Sequence, residues 1–418
     1  MNVLNEELME QMLSRENMVS AWQAVKANHG APGIDGISIE EFAKHIGPHW
    51  VTVRTKVLEG RYKPAPVRRV YIPKGNGQER PLGIPSVLDR MLQQAMLQVL
   101  QPQFEPLFSE HSYGFRPGRS AHDAVKTAQG FIAEGKDWVV DIDLKSFFDE
   151  VNHEILMTRV AQVVRDKRML KLIGRFLRAG VHENGTVTKQ AKGVPQGGPL
   201  SPLLSNIYLD ALDKELESRG LSFCRYADDC NIYVGSRKAA ERVFASITAW
   251  IEKHLKVPVN RDKSDSGRPW ERQFLGFQPT EGGALRPAPK SMKKLKDRVH
   301  EFFSGRRSGT SEQLRDEWLR FIRGWCNYFA PANEQYWRKD VSGWIRRHIR
   351  KCFWLRWHSV KGRKRNLLKL GARPWQIKKC PMHGASWPMS KHPIMQTALN
   401  NKTLKRYGFL TPSDFVAT

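Results

Sequence analysis

Apolar positions recur at helical spacing from the start of the chain. Leu8, Met9, Met12 and Leu13 form one stripe, and Met18, Ala21, Trp22 and Val25 form a second. The spacing predicts helix over residues 1–29, ending at Gly30. Gly30–Ser38, GAPGIDGIS, is a turn-rich loop, and Ser38 with Glu41 predicts a capping box for the next helix. Val67–Ile84 predicts a hairpin with Gly75, Asn76 and Gly77 at its turn. Pro85–Phe108 returns to helical period, with Met91, Ala95, Leu97, Val99 and Leu100 as candidate core, and Ala121–Ala133 predicts a short helix. Val139, Val140, Ile142 and Leu144 predict a buried strand, with Asp141 and Asp143 on one face. Leu203, Leu204, Ile207, Ala211, Leu212 and Leu216 predict a helix. Ser201 is its expected N-cap, Pro202 its first residue and Gly220 its stop. Phe223–Val234, FCRYADDCNIYV, predicts a hairpin, because two apolar runs flank the polar turn Ala227-Asp228-Asp229. Ala239–Leu255 predicts an amphipathic helix, and Phe274–Phe277, FLGF, a further strand.

The acids are the first sign of chemistry. Paired acids at a hairpin tip are usually turn formers, but acids on a core strand are costly to bury unless paired or metal-bound. If the Asp143 strand lies beside the 223–234 hairpin, Asp143 and Asp228 can hold two magnesium ions about 3.5–4 Å apart. Magnesium favours a few carboxylates supplemented by phosphate oxygens. That donor set suits nucleotidyl transfer to a primer 3′-hydroxyl.

Composition narrows the partner. The 418 residues, 40% hydrophobic and 10% aromatic, suffice for two or three domains and argue against global disorder. A net charge of +26 argues for a polyanion. Between Ser291 and Cys380 stand 24 Lys and Arg against 7 Asp and Glu, with seven of the 13 tryptophans. There RFIRGWCNYF (320–329) and WIRRHIRKCFWLRW (344–357) alternate bases with aromatics at helical spacing. This predicts a helical bundle with aromatics inside and a basic face for phosphate. Lys361–Arg365, KGRKR, is expected as a basic loop. The five cysteines show no CxxC pair and no zinc spacing, so they are expected as packing residues in a reducing cytoplasm. The acidic N-terminus lacks a signal-peptide core, and no apolar run approaches a membrane span.

YADD at Tyr226–Asp229, DLKSFFD at Asp143–Asp149 and QGGPLSP at Gln196–Pro202 stand in an order and spacing that resemble a reverse transcriptase palm. Their form resembles the proteins encoded by bacterial group II introns. The resemblance implies an α+β right-hand polymerase with a mainly antiparallel palm sheet and a helical thumb. It divides the chain into an N-terminal extension with fingers (1–85), a fingers/palm core (86–285), a maturase thumb (286–370) and a short DNA-binding tail (371–418). It implies that Asp143, the Leu144 backbone and Asp228 bind two Mg2+ ions, with Mn2+ as a substitute, and that Asp229 completes the catalytic cluster. Lys74 and Arg80 would grip the triphosphate of a deoxynucleotide, and Gln196 and Lys263 would complete its pocket. Phe148 would exclude a ribose 2′-hydroxyl, although an aromatic there is equally suited to the core. Arg116, Arg119, Ile34 and Gly276 would meet template or primer, with FLGF closing the palm.

The implied function is that of a mobile-intron enzyme copying intron RNA into cDNA. Its partners would be group II intron RNA, a template–primer duplex, target DNA and deoxynucleotides, in a bacterial cytoplasm at the nucleoid and without a membrane. As a maturase it would also help its intron splice. The alternatives are a domesticated relative in DNA repair or defence, or a protein acting mainly as an RNA-binding splicing cofactor. No HNH pattern or paired cysteines follow the thumb, so an endonuclease domain is not expected.

Overall fold

A computed structural model describes residues 7–73, 79–305, 308–334 and 336–415. The chain forms two compact units, Met1–Gly267 and Arg268–Thr418. The first unit carries two four-stranded sheets. One pairs Val67–Pro73 antiparallel with Glu79–Ile84 and parallel with Val181–Glu183, which in turn pairs with Thr186–Thr188. The turn of the first hairpin, Lys74 included, lies outside the described residues.

The second sheet is wholly antiparallel and holds the acids. Its order is Ser222–Tyr226, Asp229–Val234, Trp138–Ile142, Asp265–Gly267. Val139, Val140, Ile142, Phe223 and Ile232 are buried, and because the neighbours Val139 and Val140 point to opposite faces, this part of the sheet is covered on both sides. One continuous core runs from the N-terminal helices through the long helix Val87–Phe104 to Ser201–Ser218 and Arg237–Trp250. The expected cores of these helices hold in the main: Met91, Ala95 and Leu100 are buried, as are Leu203, Leu204, Ile207, Leu212 and Leu216, while Leu97, Val99 and Ala211 are half-buried against the core. The Ser38–Glu41 capping box is formed in both directions.

Several local expectations are corrected. The N-terminal helix is two helices, Leu8–Met12 and Arg15–Ala27, because Ser14 turns out of helical geometry and caps the second through the Asn17 amide. Both predicted stripes are nonetheless buried, apart from the half-buried Trp22. Ser201 does not cap its helix. It is the first helical residue, and its hydroxyl donates to the Pro195 carbonyl at 2.6 Å. The helix expected to reach Leu255 is α-helical over Arg237–Trp250 and continues as a π-turn, Ile251–Leu255.

The second unit is largely helical. Pro289–Phe302, Ser311–Tyr328 and Trp337–Arg356 are its long helices. Trp318, Trp337 and Trp354 are buried, while Arg320, Arg323 and Arg347 are exposed. The division of aromatics inside and arginines outside fails at Arg350, which is buried and donates to the Leu399 carbonyl at 3.0 Å. KGRKR is not a loop but part of the helix Val360–Lys369, which Ser359 caps. The FLGF stretch is not a strand of the acid-bearing sheet. Phe277–Pro279 pairs only with Leu285–Pro287, and Phe274 bonds back onto Phe277. Gly276 sits in that tight turn at φ 79°, its carbonyl accepting from Ser291 and Ala288.

Candidate active site

The two acid-bearing segments are neighbours because their strands pair directly. Ile142 stands opposite Cys230, which puts Asp143 at one strand end beside the hairpin tip. The tip is a two-residue turn, Ala227-Asp228, closed by the Tyr226–Asp229 pair. Ala227 holds φ 58°, a left-handed conformation that costs an alanine of order 1 kcal/mol. Its backbone is backed by Gly114, where an added Cβ would lie 2.3 Å from the Ala227 nitrogen. The SYGFRPGRS loop is therefore a support for the acids.

Asp143 is held from the other side by the stretch 258–264. The Asn260 amide nitrogen donates to the Asp143 carbonyl at 2.9 Å, and its Nδ2 donates to Asp143 Oδ1 at 3.1 Å. Ser264 Oγ accepts from the Asp143 amide at 2.9 Å. Lys263 Nζ lies 3.8 Å from Asp143 Oδ2 with its side chain 63% exposed. Leu144 follows, bridged to Val259.

The acids feel one another. Burial pushes the Asp228 carboxyl above its usual value, with Asp143 adding to the rise and Arg80 opposing it. Asp229 is pushed up to about 6 by desolvation, then by repulsion from Asp228 and Asp143, with Lys263 opposing. Asp228 and Asp229, raised first by desolvation and then by neighbouring carboxylates, form a site prepared for positive charge.

Asp228 also lines a cavity of about 500 Å³. Arg80, Phe148 and Gln196, three of the residues singled out in the sequence, line the same cavity. Phe147 takes the core position, 2% exposed, and Phe148 packs edge-on against it at 5.4 Å and faces the cavity. Gln196 is carried by a loop that lies on the strand Glu79–Ile84: its carbonyl accepts from the Gly83 amide at 2.7 Å. At Gly197, φ 117° and an added Cβ 2.7 Å from the Gly83 carbonyl leave room only for glycine. Ile34 lies in a loop held by Arg68, which donates to the Pro32 carbonyl at 2.7 Å, and by Arg90, which donates to the Ala31 carbonyl at 2.8 Å.

Of the two arginines of GFRPGRS, Arg116 departs from expectation. Arg116 is buried, and its guanidinium donates to Glu105 and to the Ser109 and Ser112 carbonyls. It braces its loop and does not suit a template contact. Arg119 is paired with Glu110 at 2.6 Å.

Comparison with known proteins gives the family. The family model for reverse transcriptase (RNA-dependent DNA polymerase) matches residues 72–279, and that for the group II intron maturase-specific domain matches residues 292–371. Protein YkfC of Escherichia coli K12 is 36% identical over 271 residues, covering 56% of this chain and 71% of YkfC. The chain belongs to the group II intron-encoded reverse transcriptase/maturase family. The intron-encoded protein LtrA of Lactococcus lactis is 41% identical over 213 residues, 49% of this chain and 34% of LtrA. A 91 kDa protein in the cob intron of Schizosaccharomyces pombe is 33% identical over 214 residues, 50% of this chain and 25% of that one. The match thus spans only about a third of LtrA.

In this reverse transcriptase, Asn260, Gly114 and Arg225, whose guanidinium donates to the Ala227 carbonyl at 2.8 Å, carry structural tasks at the acids that were not foreseen. Arg225 left a signal, since a charged residue inside an apolar strand needs a partner. Asn260 left only its place three residues before Lys263. Among the described residues, no group of three or more His, Cys, Asp or Glu side chains is disposed to hold a metal ion. Two carboxylates with hard oxygens still fit magnesium, which takes its remaining ligands from water and phosphate.

Proposed function

We propose that the chain copies its intron RNA into cDNA by adding deoxynucleotides to a primer 3′-end, and that it also binds and helps splice that RNA. The observation that carries the polymerase reading is the shared cavity, where Arg80, Phe148, Gln196 and Asp228 converge. Asp143 and Asp228, with the Leu144 carbonyl, would hold Mg2+, which Mn2+ could replace. When bound, the ions would activate the primer hydroxyl and neutralise the leaving pyrophosphate. Arg80 offers a fork of donors to the triphosphate, with Lys74 as its expected companion. Phe148 excludes a 2′-hydroxyl by its bulk, and Gln196 donates to the bound nucleotide. Lys263 faces Asp143 and tempers its charge. Ile34, on its clamped loop, would cover the template. Positioning and charge neutralisation suffice for this transfer, so no side-chain nucleophile is needed.

Splicing assistance rests on the second unit, whose exposed arginines and net basic charge suit an RNA backbone. The divisions 1–85, 86–285, 286–370 and 371–418, with a tail that contacts target DNA, belong to the same reading. So does a place in the bacterial cytoplasm at the nucleoid. No helix among the described residues is long and apolar enough to cross a membrane.

The test uses the protein's own transcript with several hundred bases of flank. Wild type and Asp228→Ala/Asp229→Ala are compared for ligated exons, excised intron and primer extension. The double variant is expected to splice and bind RNA but not to extend. Undiminished extension overturns the palm assignment. Extension by wild type without any spliced product overturns the maturase role and points to a free-standing reverse transcriptase.

A further inference from the structure

Beneath the turn that carries Asp228 lies a fully buried ion pair. Arg225 and Asp213 are each 0% exposed. Arg225 sits on the strand leading into the turn, and Asp213 on the helix Ser201–Ser218. Nε donates to Asp213 Oδ1 at 2.7 Å, and Nη2 donates to Asp213 Oδ2 at 2.5 Å. Nη2 also donates to Ser112 Oγ at 2.7 Å, and Nη1 donates to Asn206 Oδ1 at 3.1 Å. The fifth donation, from Nη1, goes to the Ala227 carbonyl at 2.8 Å. All five guanidinium donors are used. The backbone of Arg225 is tied too: its amide donates to the His111 carbonyl, and its carbonyl accepts from Tyr113, both at 2.9 Å. Asn206 Nδ2 donates to the Gly114 carbonyl at 2.9 Å, so the glycine that backs the turn is fixed by the same helix.

The fifth bond is the informative one. The Ala227 carbonyl belongs to the peptide whose nitrogen is that of Asp228. Fixing that carbonyl fixes the plane of the peptide and hence the direction in which Asp228 leaves the turn. Ala227 itself holds φ 58°, which alanine does not keep unaided. A buried ion pair is weak as a stabiliser, because desolvation offsets its attraction. Its five-point geometry is instead suited to orientation, which lysine with three donors cannot reproduce.

We infer that Arg225, held by Asp213, Asn206 and Ser112, is a positioning residue that sets the Asp228 carboxylate for ion binding through the Ala227 peptide. The inference rests on the reading of Asp228 as an ion ligand.

The test replaces the pair by apolar residues of similar size, Arg225→Met/Asp213→Leu, because such swaps often leave a buried site folded. Primer–template affinity is measured on the full chain, with three further quantities. The first is the thermal unfolding midpoint. The second is the single-nucleotide incorporation rate against Mg2+. The third is Mn2+ affinity, from the electron paramagnetic resonance signal of free Mn2+. It is read with a dideoxy-terminated primer–template and a deoxynucleotide, where no chemistry occurs. The variant is expected to melt within about 5 °C of wild type and bind duplex equally well. Its rate is expected to fall about 10- to 100-fold, with weaker Mn2+ binding. Arg225→Lys is expected not to restore the rate. A folded double variant with wild-type rate and Mn2+ affinity overturns the inference. If the double variant does not fold, Asn206→Ala, which leaves the ion pair in place, decides: wild-type Mn2+ affinity then overturns it. Asp228→Ala is run alongside. If that change leaves Mn2+ affinity intact, the ligand reading fails rather than the positioning.

Discussion

Removing one carboxylate from the acid cluster should stabilise the ion-free protein, and the size of the effect follows from Asp229. Its carboxyl is held at about 6 against an ordinary 3.8 by desolvation and by its neighbours Asp228 and Asp143. A rise of that size corresponds to about 3 kcal/mol. Asp229 is exposed on its strand, so solvent screening brings the expected effect down to about 1 kcal/mol. The sign follows from proton binding. Below about pH 4 the group is protonated in both folded and unfolded chains and contributes nothing. Between about 4 and 6 the folded chain keeps the proton that the unfolded chain has lost, so stability from this group falls as pH rises. Above about 6 the penalty is complete. Asp229→Asn should therefore raise the unfolding midpoint by about 2–3 °C at pH 7 in chelator and leave it unchanged near pH 4. Scanning calorimetry at the two pH values measures this. Added Mg2+ should stabilise wild type more than the variant, because the ion relieves the repulsion that the substitution has already removed. A gain that is equal at pH 4 and pH 7, or no gain at all, refutes the account of Asp229 as a repelled charge.

The other predictions concern the cavity and the turn. Phe148→Ala should admit ribonucleotides, raising their incorporation relative to deoxynucleotides by about tenfold or more in competition assays; unchanged sugar discrimination returns Phe148 to a packing role. Arg80→Ala should raise the KM for deoxynucleotide about tenfold by removing a charge-assisted contact, with duplex affinity unchanged in a binding titration. Gly114→Ala should lower polymerisation at least tenfold, since its Cβ would meet the Ala227 nitrogen at 2.3 Å and push the turn; wild-type turnover would show that the turn is not held there.

Much of this protein was legible in its sequence because the signals were local. Periodicity found the strand before Asp143, the hairpin around Asp228 and the helix after QGGPLSP, since a pleat repeats every two residues and a helix every 3.6. The capping box at Ser38 was readable for the same reason: donor and acceptor lie three residues apart. Choices among distant partners were not readable. The sequence offers Phe147 and Phe148 side by side, and only packing turned the first inward and left the second at the cavity. Arg116 and Arg80 look alike in sequence, yet Glu105 and two carbonyls capture Arg116, while Arg80 reaches the cavity beside Asp228. Basic residues at 361–365 suggested a loop by charge alone, and the Ser359 cap made the segment a helix. Asn260 and Arg225 lay in plain view without a role, because Asp143, which Asn260 holds, and Asp213, Asn206 and Ser112, which aim Arg225, are distant in the chain and are brought to them only by the fold.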